Sequence, residues 1–265
     1  MHAIHKLSGW AAGAATVLAL STSAAYAAPL PSGWTTNGNA GTNTAADGVV
    51  TLAPGFSSYQ WLSTAGSPNA GGNLPTAPTG GETNGTTVQS TSFTVAAGDA
   101  LKFYFNYITS DGAQYTEYAW AALFDASNAF DSYLFTARTT PTGDTVPGFG
   151  LPGLGTGVTL TPGSTAIVPG GPAFSPLGGS SGACYAAGCG YTGWIEMGYS
   201  FLTAGTYSLQ FGVTNALDTL YDSAFAVAGV TINDTPIDPN PVPEPASLAL
   251  VGLALVGLAA GRRRA

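Results

Sequence analysis

Apolar and polar residues alternate between positions 101 and 108: Leu101, Phe103, Phe105 and Tyr107 fall on one side of an extended chain, and Lys102, Tyr104, Asn106 and Ile108 on the other. A period of two is the signature of a β-strand with one face against a core. The pattern returns at Tyr207, Leu209, Phe211 and Val213, alternating with Ser208, Gln210 and Gly212, and a further half-buried strand is expected at 225–232. Shorter runs read as strands too: VVTL at 49–52, YQWL at 59–62, TTVQSTSFTV at 86–95, then 118–124, 133–137 and 194–201. Turns are expected at 97–99 (Ala-Gly-Asp), 125–128 (Asp-Ala-Ser-Asn) and 204–206 (Ala-Gly-Thr), and 118–137 has the form of an antiparallel meander.

Two stretches break the periodicity. Residues 63–85 are dense in Gly, Pro, Asn and Thr and read as loop. Between 141 and 193, 22 of 53 residues are Gly or Pro, too many for strands beyond short pieces at 158–160 and 166–168. That segment is expected to form a long elaborated loop, and long loops on a rigid scaffold are where binding surfaces concentrate. Eight or more short strands without helical periodicity predict an all-β fold, a single β-sandwich of jelly-roll type.

The two ends follow other rules. Lys6 precedes an uncharged stretch at 7–25 with the apolar core AAGAATVLAL, then Ala25-Tyr26-Ala27. This is the pattern of a secretory signal peptide cut after Ala27. Near the other end stand Val242, Pro243, Glu244 and Pro245, then a run at 246–261 without Asp, Glu, Lys or Arg, then Arg262, Arg263 and Arg264. The run is short for a bilayer, which takes roughly 20 residues to span. Arginines directly after it hold that end in the cytoplasm and put the preceding chain on the opposite side. The expected organisation is a signal peptide at 1–27, a sandwich ectodomain at 28–238, a linker with Pro-Glu-Pro at 239–245, and a transmembrane helix with an arginine-rich tail at 246–265. These physical arguments leave open a permanent or a temporary anchor.

The order Val-Pro-Glu-Pro-Ala-Ser, then LALVGLALVGLAAG, then Arg-Arg-Arg-Ala resembles the PEP-CTERM sorting signal of Gram-negative, biofilm-forming bacteria. The resemblance implies that exosortase, an inner-membrane transpeptidase with a cysteine nucleophile, recognises Pro243-Glu244-Pro245 and removes the tail. Glu244 is then a recognition residue. The implied route runs through the general secretion machinery and signal peptidase to a transient inner-membrane anchor, then to the cell surface or extracellular matrix. Residues 202–207 (LTAGTY), 215–218 (NALD) and 222–227 (DSAFAV) also resemble PEP-CTERM ectodomains with a carbohydrate-binding-like sandwich. Where those continue with Asp-Asn-Val, this chain has Ala228-Gly229-Val230.

Charge narrows the partners. All 14 carboxylates lie between the expected signal peptide and the tail, against Lys102 and Arg138 alone, a balance of −12. Such a surface repels phosphate backbones and anionic membrane surfaces, so no nucleic-acid partner is expected. The pair Cys184 and Cys189, within GACYAAGCGY, is expected to form a disulfide closing a small loop. The other reading, a metal site, lacks further ligands, because both histidines, His2 and His5, go with the signal peptide. The same loss removes a Ser-His-Asp triad and a Cys-His pair, and no P-loop occurs.

What remains is oxygen chemistry and aromatic surface. Asp111, Glu117, Asp125 and Glu196 are the carboxylates available to a glycosidase. Asn215, Asp218 and Asp222 either hold calcium or simply form a turn. Tyr115, Tyr118, Tyr133, Tyr185 and Tyr191 either offer a sugar-stacking platform or pack at strand ends. The function expected from all this is a non-catalytic exported surface or matrix protein associated with exopolysaccharide or biofilm. The alternatives are a lectin-like carbohydrate-binding module and a secreted carboxylate glycosidase. A structural Ca2+ is the one cofactor considered.

Overall fold

The computed structural model describes residues 28–76 and 78–237. The expected signal peptide, the last ectodomain residue Asp238, and the linker and tail from 239 onward lie outside the described residues. Among the described residues no helix is long and apolar enough to cross a membrane.

The chain forms, in order, β1 (Thr35–Asn37), β2 (Asn39–Asn43), β3 (Tyr59–Ser63), β4 (Glu82–Gln89), β5 (Phe93–Val95), β6 (Ala100–Thr109), β7 (Tyr118–Asp125) and β8 (Phe130–Arg138). There follow β9 (Asp144–Val146), β10 (Val158–Thr161), β11 (Thr165–Ala166), β12 (Val168–Pro169), β13 (Gly190–Tyr191), β14 (Ile195–Ser200), β15 (Gly205–Ala216), β16 (Ser223–Ile232) and β17 (Thr235–Pro236). A short 3-10 segment, Ser175–Ser180, interrupts the long Gly/Pro-rich stretch. One sheet runs β1-β4-β15-β7-β8, with β5 also on β15; the other runs β10-β14-β6-β16-β3-β2. All these pairings are antiparallel.

The alternating side chains meet between the sheets. Phe103 and Phe105 of β6 and Phe225 of β16 face Phe135 of β8 and Phe211 of β15, all fully buried. Phe105 and Phe135 stack face to face across the interior, with centroids 4.0 Å apart and planes 11° apart. Each such ring stabilises the fold by about 1.5–3 kcal/mol through burial. A bulge in β8, where Ala121 pairs with Phe135 but Ala122 with Tyr133, lets both Leu134 and Phe135 face the interior.

The expectation of one buried face per strand is corrected by the outer faces. Every residue of β7 except Asp125 is buried. Leu74, Leu151 and Leu154, from the two loop stretches, cover Tyr118, Trp120, Ala122 and Tyr133 on the outside of the smaller sheet. Val50, Ala53, Phe174 and Leu177 do the same over Tyr59, Trp61, Ile108 and Ala226 on the larger one. The long Gly/Pro-rich segment is thus a wrap over both sheets, carrying β9 to β13, rather than a projecting loop.

Other local expectations shift for physical reasons. VVTL at 49–52 is not a strand; Asp47 and Val50 form only an isolated bridge, and Val50 packs as a plug against the larger sheet. β2, with sequence NAGTN, carries no apolar alternation and is held by pairing with β3. Residues 86–95 split into β4 and β5, and β4 begins at Glu82, inside the expected loop. The meander expected at 118–137 is the antiparallel β7–β8 hairpin. At the Ala228-Gly229-Val230 departure, β16 bulges and Gly229 takes φ 66°, a left-handed value open to Gly and Asn.

Gly212 on β15 lies beneath the Trp120 indole, and a Cβ there would overlap the ring. The indole is fixed by donation from Trp120 Nε1 to the Gly72 carbonyl at 2.7 Å, so it has little freedom to retreat. The substitution Gly212→Ala is expected to lower the unfolding free energy by about 1–3 kcal/mol, read from urea denaturation.

Candidate functional site

The longer links that change sheet meet at one end of the sandwich. There Thr109 pairs with Ser223, Tyr118 with Thr214 and with Arg138, and Ser63 with Ala224. The crossovers 64–81, 110–117 and 217–222 and both ends of the 139–194 wrap therefore lie together, whereas tight connections such as 126–129 and 201–204 sit at the other end. Loops gathered on a rigid sandwich in this way are the place to look for a site.

Glu117 and Asp111, on the 110–117 crossover, lie at the bottom of this end with exposures of 0% and 1%. Glu117 reaches from the smaller sheet to the larger one: Thr109 Oγ1 donates to its Oε2 at 3.0 Å, and Ser223 Oγ donates to the same oxygen. Asp111 Oδ1 accepts from the Gly112 amide at 2.6 Å, and the Asp111 amide donates to Thr109 Oγ1 at 3.0 Å. The other carboxylate oxygens, Glu117 Oε1 and Asp111 Oδ2, accept from no protein N–H or hydroxyl, and the two carboxyls lie within hydrogen-bonding reach of each other. Burial pushes the Asp111 carboxyl up to about 6, against the opposing pull of the Gly112 hydrogen bond. Burial also drives the Glu117 carboxyl well above the usual carboxylate range, only partly offset by Ser223.

Above them lies an aromatic shelf. Cys184 and Cys189 are bonded, with Cα atoms 5.6 Å apart, and close the loop that carries Tyr185. That loop is stitched to the crossover by Ala113 N donating to Ala187 O at 2.8 Å and Tyr185 N to Ser110 O at 2.9 Å. The Tyr185 ring lies 5.5 Å from Tyr115 and 5.0 Å from Tyr221 between centroids, and it is 47% exposed.

Next to Tyr221, Asp222 acts as a clasp. Thr64 Oγ1 donates to its Oδ1 and Ser180 Oγ to its Oδ2, each at 3.0 Å, joining three loops. Beyond the clasp is a cleft of about 540 Å³ lined by Asn39, Asn43, Asp47, Trp61 and Ser175, among others. Asn43 organises its wall, accepting from Trp61 Nε1 at 3.2 Å and donating to the Tyr59 hydroxyl at 3.0 Å.

The residues expected from sequence are distributed as follows. Of the four candidate carboxylates, Asp111 and Glu117 come together; Asp125 ties the 126–129 turn by accepting from Ser127 and Ala129, and Glu196 accepts from the Tyr104 hydroxyl. Of Asn215, Asp218 and Asp222, both Asp222 oxygens accept from hydroxyls and Asp218 Oδ1 caps the Leu220 amide at 2.8 Å. Among the described residues no group of three or more His, Cys, Asp or Glu side chains is placed to hold a metal. Of the tyrosines, Tyr115 and Tyr185 share the shelf, Tyr118 and Tyr133 are buried, and Tyr191 packs against the outer cluster of the larger sheet. Sequence reasoning missed Tyr221, although it stands beside Asp222, and the cleft residues Asn39 and Asn43, whose polar strand gives no apolar signal.

Comparison with known proteins adds information mainly about the C-terminus. Residues 241–264 match the family model of the PEP-CTERM protein-sorting motif. This chain carries a PEP-CTERM sorting motif. Pro243, Glu244, Pro245 and Arg262 to Arg264 fall within the match, which implies processing by exosortase. No curated protein matches the PEP-CTERM chain. Among solved structures, the K3 adhesin domain of Lys-gingipain from Porphyromonas gingivalis W83 is 14% identical over 77% of this chain and 92% of its own, with TM-score 0.36. The K2 adhesin domain of Lys-gingipain is 14% identical over 80% and 93%, with TM-score 0.37. A CBM4 structure is 6% identical over 65% and 92%, with TM-score 0.28. At these scores the likenesses carry no argument about what the PEP-CTERM chain binds.

The clasp generates a stability test. Replacing Asp222 by Ala leaves the Thr64 and Ser180 hydroxyls without their acceptor and is expected to cost about 2 kcal/mol in a thermal or urea melt. Asp222→Asn, which keeps one acceptor oxygen, is expected to cost roughly half as much.

Proposed function

We propose that this is a non-catalytic surface or matrix protein whose sandwich associates with neutral exopolysaccharide through its loop-bearing end. The motif at 241–264 supports the coarser statement, that the protein is exported and sorted to the surface. The observation that carries the finer one is the shelf of Tyr115, Tyr185 and Tyr221, held by a disulfide-closed loop and partly open to solvent. Tyrosine combines a flat apolar face with a polar tip, which suits the faces and hydroxyls of a sugar ring. The excess of carboxylates disfavours acidic polymers, so a neutral glycan is the fitting class. The Asn-rich cleft beyond Asp222 supplies neutral hydrogen-bonding groups along the same end.

A jelly-roll description of the sandwich belongs to this reading and rests on strand order. The eight long strands lie as β3-β16-β6-β14 and β4-β15-β7-β8, an interleaving of two Greek keys. The non-catalytic part of the proposal is supported by the burial of the adjacent carboxylates Asp111 and Glu117 beneath the loops.

Affinity electrophoresis through neutral polysaccharide tests the glycan reading. Tyr185→Ala is expected to weaken retardation by roughly tenfold, about 1.4 kcal/mol, with an unchanged melting temperature. Equal retardation of the two proteins would remove the shelf from the proposal, and release of reducing ends would replace the non-catalytic reading by a glycosidase. For the sorting route, Glu244→Ala is expected to leave the chain in the membrane fraction with its C-terminal tail intact, read by mass spectrometry of the protein from its host.

A further inference from the structure

Two carboxylates buried side by side between the sheets, Asp111 and Glu117, have no protein cation to balance them. Lys102 pairs with Asp234. Arg138 donates to the carbonyls of Thr116 and Phe149 and lies over the Tyr118 ring. No other Lys or Arg occurs among the described residues. An unpaired buried carboxylate is among the costliest groups a fold can hold, so either a proton or a cation must neutralise the pair.

The unpartnered atoms decide between these. Glu117 Oε1 and Asp111 Oδ2 accept from no protein N–H or hydroxyl, and the two carboxyls face each other, while their sister oxygens are occupied by Thr109, Ser223 and Gly112. A third group joins them from the neighbouring strand. Thr214 of β15 lies opposite Tyr118 of β7, the last pair of that register, and continuing the register by one step brings Asn215 toward Glu117. Asn215 is fully buried, and both its carboxamide oxygen and its nitrogen lack a partner. A shared proton would join the two carboxyls but leave the amide carbonyl unsatisfied; a cation with several oxygen ligands accounts for all three bare oxygens.

We propose that Asp111, Glu117 and Asn215 form a binding site for one divalent cation of the calcium type, set between the two sheet crossovers. Every donor is a hard oxygen, and the only sulfur atoms of cysteine in the chain are consumed in the Cys184–Cys189 disulfide. This set suits Ca2+, which takes six to eight oxygens, carbonyls and waters included, in tolerant geometry. The ion ties the 110–117 crossover to the end of β15, just ahead of the 217–222 crossover, and so fixes the ground on which the tyrosine shelf stands. The site differs from the 215, 218 and 222 grouping because Asp222 spends both its oxygens on Thr64 and Ser180. It does not depend on glycan binding, and its tests read metal and stability alone.

The purified protein, stripped with EGTA and dialysed, is titrated with CaCl2. One Ca2+ per chain by native mass spectrometry and a melting temperature rising by several degrees up to millimolar Ca2+ are the expected results. Glu117→Gln and Asp111→Asn are expected to fold and to weaken calcium affinity at least tenfold, whereas Glu196→Gln keeps the wild-type response. A wild-type protein with neither bound calcium nor a calcium-dependent melt overturns the site in favour of a shared proton, whatever the variants do. Wild-type calcium affinity in both Glu117→Gln and Asp111→Asn overturns the assignment of the ligands.

Discussion

A carboxylate held between two sheets organises the working end of this protein. Glu117 starts on the smaller sheet and ends in hydrogen bonds to Thr109 and Ser223 of the larger one, so it is a brace across the sandwich as well as a buried charge. Thr109 and Ser223 are themselves a cross-strand pair, which gives the brace a rigid footing. Burying ionisable groups is tolerated only where the environment satisfies them. That constraint sets what the surrounding loops must do: supply hydroxyls, exclude water and hold Asp111 beside the brace. The disulfide-closed loop and the Asp222 clasp act on the same segment from outside.

The Gly/Pro-rich stretches have a comparable physical purpose. A two-layer sandwich of strongly apolar strands, such as β7 with both faces buried, would leave its outer surface exposed to water. Leu74, Leu151, Leu154, Phe174 and Leu177 are placed on that surface by chain too rich in turns to form sheet of its own. Close approach requires small residues, as where Gly212 accepts the Trp120 indole. The outcome is a central aromatic core with a smaller apolar layer on each outer face, and one end at which the longer sheet crossovers, the tyrosines and the polar cleft come together.

The strands that could be read in advance were those whose apolar residues alternate, β6, β15 and β16 above all, because one-sided burial imposes the period. β1 and β2 escaped notice since their residues are polar and their order comes from pairing with β4 and β3. VVTL misled in the opposite sense: Val50 is apolar because it plugs an outer face, not because it lies in a strand. At the site, Asp111, Glu117, Tyr115 and Tyr185 were all visible as chemistry, but each stood in a longer set whose other members lie elsewhere. Their grouping depends on residues about 100 positions apart meeting where the chain changes sheet.

The sequence by itself determined the β-rich class, the disulfide pair, the acidic balance and the sorting motif, for each is written in local spacing or in composition. Tertiary structure decided which carboxylates are buried, which tyrosines share a surface and which acidic residue is merely a clasp. Those properties arise from the order in which eight strands alternate between two sheets, and strand order is a long-range arrangement that no local period encodes.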